Sequence, residues 1–93
     1  VKEKAKHGQT SYQRQKAERA ERHKRAKRLT TLEQTIAHLE EKKATIEGAL
    51  ADDQIFRDHA KAQKVNADYS RVKETLREQY AEWTALAEEH EAE

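Results

Sequence analysis

Lys and Arg side chains are concentrated between residues 14 and 28, where eight of them face only two Glu residues. Side chains of these types neutralise nucleic-acid phosphates and release counterions, which gives affinity without sequence specificity. The predicted phosphate contacts are Arg14, Lys16, Arg19, Arg22, Lys24, Arg25, Lys27 and Arg28. The alternative is a solvated helix surface held by ion pairs such as Glu18–Arg22.

A second, smaller group of bases lies further along the chain. Its members are Lys42, Lys43, Lys61 and Lys64, and we predict weaker phosphate contacts from them. Tyr12 is the only aromatic residue among the bases of the first group, so contact with phosphates is favoured over stacking on bases.

The sequence gives little support for a catalytic, metal or cofactor site. There is no Cys, and the five His residues never recur at the i, i+4 spacing of a helical metal site. Gly-x-Ser-x-Gly, His-Glu-x-x-His and phosphate-cradling glycine motifs are also missing. We therefore expect no catalytic residue, no metal site and no cofactor in this chain.

The composition indicates long helices rather than a packed globule. Apolar residues make up 34% of the 93 residues and charged residues 40%, with no Pro and two Gly. A globular domain has nearer half its residues apolar. No apolar run approaches the ~20 residues that span a bilayer, and no bulky apolar face accompanies the bases, so we expect no membrane partner. Because the chain begins with Val, we expect a piece of a longer protein.

Charge is segregated along the chain. Residues 1–28 hold eleven bases and three acids, a net +8, whereas residues 29–93 hold eight bases and fifteen acids, a net −7. One end is therefore suited to a polyanion. We divide the chain into a basic extension, residues 1–28, with residues 1–10 a disordered tail, and a second domain, residues 29–93.

Two heptad series define that second domain. Apolar residues alternate in steps of three and four, with Lys43 in one core position. The first series is Leu29, Leu32, Ile36, Leu39, Lys43, Ile46 and Leu50, and the second is Ala62, Val65, Tyr69, Val72, Leu76, Gln79, Trp83, Leu86 and His90. A turn at about residues 51–57 makes the helices antiparallel neighbours, and one register then pairs Leu32 with Leu76 and Ile36 with Val72. The predicted fold is all-α: an antiparallel two-helix coiled-coil hairpin with a basic N-terminal helical extension.

The same register continues beyond Leu29 and places Arg25 opposite Trp83. We therefore expect the first helix to extend back to about residue 12. Residues Thr30 to Glu33 also form a capping box, the pattern of a fresh helix start. Whether the helix is continuous or kinked at Arg28–Thr31 is left open.

Residues 29–93 resemble the C-terminal coiled-coil domain of the ABC-F type, Uup-like ATP-binding-cassette ATPases. The family's turn motif is matched by Ala49-Leu50-Ala51-Asp52 with Phe56 and Asp58, and its Tyr-x-x-Trp-x-x-Leu ending by Tyr80, Trp83 and Leu86. Upstream, residues 11–15 resemble the stretch that joins the second cassette to this domain. Asp53 stands where the family has Pro.

The resemblance implies a cytoplasmic parent protein whose cassettes bind ATP and Mg²⁺ and hydrolyse ATP. It also implies contact with DNA, as in Uup, or with ribosomal RNA, as in ribosome-associated relatives. We predict a non-catalytic nucleic-acid-binding domain. The alternative is a structural coiled coil that docks on its own ATPase cassettes or dimerises, and the sequence does not separate a monomer from a swapped dimer.

Overall fold

The computed structural model describes the backbone of residues 2–92 and the side chains of residues 11–92. Three helices follow one another: α1 (Lys2–Leu50), α2 (Asp53–Arg57) and α3 (His59–Glu91). The described residues contain no strand, which confirms the all-α prediction. The first helix begins at Lys2, before the start expected near residue 12, and it includes residues 2–10, for which a disordered tail was expected.

The molecule is a rod. Its extents are 82 × 17 × 14 Å and its radius of gyration is 22.8 Å, whereas a compact chain of this length has a radius near 12 Å. At 1.5 Å per residue, α1 is about 74 Å long and α3 about 50 Å long. The first helix is therefore longer than the second, and its N-terminal end extends beyond α3.

A single apolar seam joins α1 to α3. Four side chains are buried, with exposed fractions of 1% for Leu32, 8% for Ile36, 4% for Val72 and 5% for Leu76. They form the two central pairs of the predicted register. Every other position of both heptad series is half-buried, Lys43 included. The antiparallel hairpin and its seam are thus confirmed.

Polar contacts on both flanks of the seam also hold α1 to α3. On one flank Arg28 forms an ion pair with Glu82. On the other, the indole N–H of Trp83, itself a seam residue, donates to a carboxylate oxygen of Glu33 at 3.1 Å. Arg28, Glu82 and Glu33 lie beside the seam, in the e and g positions of the coiled coil.

The first helix is continuous through Arg28–Thr31. The hydroxyls of Thr30 and Thr31 donate to the carbonyl oxygens of Ala26 and Lys27, each at 3.1 Å. They satisfy the carbonyl four residues earlier instead of capping a new helix start. The structure therefore has one continuous helix here and no second helix start, and the seam continues past this point toward the end of α3.

Two aspartates shape the connection between the long helices. Asp52 caps α2 by accepting from the N–H of Gln54 at 2.9 Å, and Asp58 caps α3 by accepting from the N–H of Lys61 at 3.2 Å. Asp53 is the first residue of α2, where Pro is favoured because its missing N–H needs no partner. Asp is also favourable there, since its negative charge faces the positive end of the helix.

The two apolar residues of α2, Ile55 and Phe56, differ in burial. Ile55 is half-buried, whereas the Phe56 side chain is 77% exposed. In a single helical turn, neighbouring side chains point about 100° apart, so only one of the two faces the hairpin.

Candidate nucleic-acid interface

Two bases of the first group, Arg14 and Lys16, lie on a helix end that α3 does not cover, and the next base, Arg19, lies beside the last turn of α3. In the seam register the last helical residue of α3, Glu91, lies opposite about residue 17. Arg14, Lys16 and Arg19 are exposed, and none of them has an ion pair with a described residue. We call residues 11–28 of α1 the basic arm.

The inner bases of the arm are engaged to different degrees. Lys24 lies 3.6 Å from Glu21 on the same helix, and Arg28 pairs with Glu82 of α3. Arg25 is half-buried with its Nε and Nη2 atoms shielded from solvent, as a residue extending the seam should be. Lys27 and Arg22 are exposed. The charges most available to a polyanion are consequently those furthest from the turn.

The second group of bases does not join the arm into one patch. Lys42 lies on α1 fourteen residues beyond Arg28, about 21 Å along the helix, in a groove with Asp68 and Arg71. Lys61 and Lys64 are exposed on the first turns of α3. Phosphate contact from this group remains a prediction about a separate surface.

Lys43 occupies the seam itself and is half-buried. A charged group at such a position commonly selects one register over others. Its placement therefore supports a structural role more directly than the predicted phosphate contact.

One flank of the hairpin carries an aromatic and acidic arrangement that sequence reasoning did not identify. Three glutamates spaced by seven residues on α1 accept hydrogen bonds from aromatic residues of α3. The pairs are Glu33 with Trp83 at 3.1 Å, Glu40 with Tyr80 at 2.9 Å and Glu47 with Tyr69 at 3.0 Å. The signal was present in the sequence, since seven-residue spacing places the three carboxylates on one helix face.

These hydrogen bonds change the acidity of two phenols. The hydrogen bond to Glu40 raises the pKa of Tyr80, with smaller contributions from burial and from the carboxylate charge. The hydrogen bond to Glu47 raises the pKa of Tyr69 in the same way. In each case the neutral phenol is the donor, so the fold favours the protonated form. Lys73 adds a cation above the Tyr69 ring, at 4.6 Å from the centroid.

Two kinds of site are not found in the part of the chain that the structure describes. No three His, Asp or Glu side chains there are grouped in a way that could hold a metal ion. None of the helices there has an apolar stretch long enough to cross a bilayer.

The fold and its exposed arm define a class of protein module, the antiparallel coiled-coil hairpin with one helix overhanging the other. The chain belongs to the ABC transporter C-terminal domain family, whose sequence model matches residues 20–88. This match agrees with the resemblance to the C-terminal domain of ABC-F type ATPases and makes the chain part of an ABC ATPase. No curated protein and no solved structure gave a significant match.

Proposed function

We infer that this domain is a non-catalytic nucleic-acid-binding appendage of its parent ATPase, with the basic arm as the contact surface. The observation that carries the proposal is the exposure of Arg14 and Lys16 on the overhanging end of α1 and of Arg19 just inside it, with no described acid paired to them. An unpaired base on a helix keeps its full capacity to replace counterions on a phosphate backbone.

The shape of the hairpin supports this use of the arm. Residues 11–16 extend past the end of α3, so a nucleic acid can approach them from any side. The seam behind them keeps α1 helical and holds its direction. Tyr12, with 63% of its side chain exposed, lies beside Arg14 and offers one ring for stacking on an unpaired base.

The mechanism is electrostatic. Each phosphate contact lowers the slope of log K against log salt by about 0.9 for duplex DNA and about 0.7 for single strands. Contacts of this kind do not read sequence. The proposal thus covers DNA and RNA alike, and it includes the cytoplasmic location and the ATP- and Mg²⁺-dependent cassettes that the family resemblance implies.

The test is a salt titration of binding followed by fluorescence anisotropy, with labelled duplex DNA and a labelled RNA hairpin, between about 50 and 200 mM salt. The key variant replaces the three outermost bases of the arm by glutamine: Arg14→Gln, Lys16→Gln and Arg19→Gln. If all three contact phosphates, its slope for duplex DNA is shallower than that of the original chain by about 2.7.

A matched control separates the arm from net charge. The triple variant Arg71→Gln, Lys73→Gln and Arg77→Gln removes the same charge from exposed positions of α3. We expect it to keep most of the original slope. Equal weakening by the two triple variants, or affinity that does not depend on salt in the original chain, would show that the arm is not a nucleic-acid interface.

A further inference from the structure

One face of α1 carries a charge pattern that runs from the basic arm to acidic residues that the nucleic-acid proposal does not use. Its members are spaced by seven residues, so they follow a line along the helix that drifts by about 20° per seven residues. In order they are Tyr12, Arg19, Ala26, Glu33 and Glu40. All are exposed except Ala26, which is half-buried. The line therefore runs from an aromatic and basic end, through a small residue, to an acidic end.

The acidic end of this line borders a groove between the two long helices. Ile36 and Ala37 contribute apolar surface to it, and Tyr80 and Trp83 of α3 line it together with Glu33 and Glu40. The hydrogen bonds from the two aromatic residues hold both carboxylates in place.

Neither carboxylate has an ion pair with a described base. An ionised carboxylate has about four acceptor sites, so each keeps capacity after its bond to the aromatic donor. The groove is therefore suited to a cationic side chain carried on an apolar stem.

Arg19, the base on the same line, cannot reach this groove within one molecule. Arg19 and Glu33 lie fourteen residues apart on one continuous helix, about 21 Å along its axis. A straight helix cannot fold one onto the other, whereas Arg19 of a second copy can approach Glu33.

The line of residues is complementary to itself when a second α1 runs antiparallel with the two Ala26 residues facing each other. Arg19 of each copy then lies opposite Glu33 of the other, and Tyr12 lies opposite Glu40. Two-fold symmetry produces each contact twice, as in an isologous dimer. The small side chain of Ala26 allows the helices to approach at the axis.

We propose that a second copy of this chain docks on this face, with the arm of each copy lying in the acidic groove of the other. The interface is separate from the hairpin seam, so it does not require the helices to open and swap. It also does not depend on nucleic-acid binding. Because the ion pairs are exposed, the dimer is expected to be weak and to dissociate as salt is raised.

The experiment is sedimentation equilibrium of the 93-residue chain at low salt over a range of concentrations, with helicity checked by circular dichroism. Arg19→Glu and Glu33→Arg each place like charges opposite one another, and we expect each to weaken self-association by about tenfold or more. A mixture of the two variants puts every introduced acid opposite an introduced base. We expect that mixture to form a heterodimer of at least the original affinity.

Controls make the outcome decisive. Lys24→Glu makes the same change in net charge on the opposite side of the arm, and we expect it to leave association within about twofold of the original. Arg19→Glu lies outside the groove, so its effect does not involve the hydrogen bond to Trp83. A chain that stays monomeric throughout, a dimer that both single variants preserve, or a mixture that fails to associate would each overturn the proposal. A swapped hairpin would give the second of these results.

Discussion

Truncating the most deeply buried side chain tests the seam directly. Leu32 is 1% exposed, and removing a fully buried leucine to alanine destabilises proteins by about 2.7–5 kcal/mol. A two-helix hairpin is only one side chain thick, so its surroundings collapse more readily than a globular core. We therefore expect the lower end, about 2.5–3 kcal/mol, for Leu32→Ala.

The assay is urea and thermal unfolding followed by helical circular dichroism. At about 4–8 °C per kcal/mol for a domain of this size, the midpoint should fall by about 10–24 °C. Leu39→Ala is the matched control, since Leu39 is only half-buried in the same seam and should lose about half as much. Alanine is the strongest helix former, so neither variant weakens the helix itself.

A double-mutant cycle then tests the register. Leu32→Ala combined with Leu76→Ala should depart from additivity by about 0.5 kcal/mol or more, because the two side chains meet in one layer. Leu32→Ala combined with Leu50→Ala, about 27 Å away along α1, should be additive. Equal losses from Leu32→Ala and Leu39→Ala, or coupling with Leu50 and not with Leu76, would refute the pairing of Leu32 with Leu76.

Two further predictions concern the flank and the end of α1. The raised pKa of Tyr80 means that its hydrogen bond to Glu40 contributes stability below pH ~10, and that this contribution is lost as the phenol ionises at higher pH. When urea unfolding is compared between pH ~9 and ~11, Tyr80→Phe should therefore lose less stability than the original chain. Equal losses in the two proteins would contradict this. A Cβ added at Gly48 would meet no atom within 4 Å. Gly48→Ala should therefore raise the free energy of unfolding by about 0.5–1 kcal/mol in the same assay. A decrease would show that the helix end is strained.

The hairpin was predictable because its two apolar series have one period and the short turn between them selects the register in which they face each other. Every position of both series is buried or half-buried, which is what a 3-4 spacing requires once a short turn forces the helices together. The N-cap roles of Asp52 and Asp58 could also be predicted from sequence, since each residue stands immediately before a helix start.

The continuity of α1 was not decided by local sequence. Residues Thr30 to Glu33 fit a helix start as well as a helix interior, and the threonine hydroxyls serve either state. The packing of α1 against the far end of α3 selects the continuous helix. The local motif is thus overridden by tertiary packing, and Leu29 on this stretch is half-buried.

The hydrogen bonds of the acidic flank depend on a relation between the helices that heptad counting does not give. Glu40 and Tyr80 are not partners in the seam; they meet because both project to the same side of it. Contacts beside the seam determine which carboxylates are held on one surface of a coiled coil and which surface remains available to a partner. Two antiparallel helices bury only a narrow stripe, so the remaining surface is differentiated by its charges. In this chain the bases of the arm and the carboxylates of Glu33 and Glu40 lie at opposite ends of α1. Because of this separation, Arg14, Lys16 and Arg19 cannot pair with those carboxylates within one molecule. Both proposals therefore give the arm a partner from outside the molecule, either a phosphate backbone or the carboxylates of another copy.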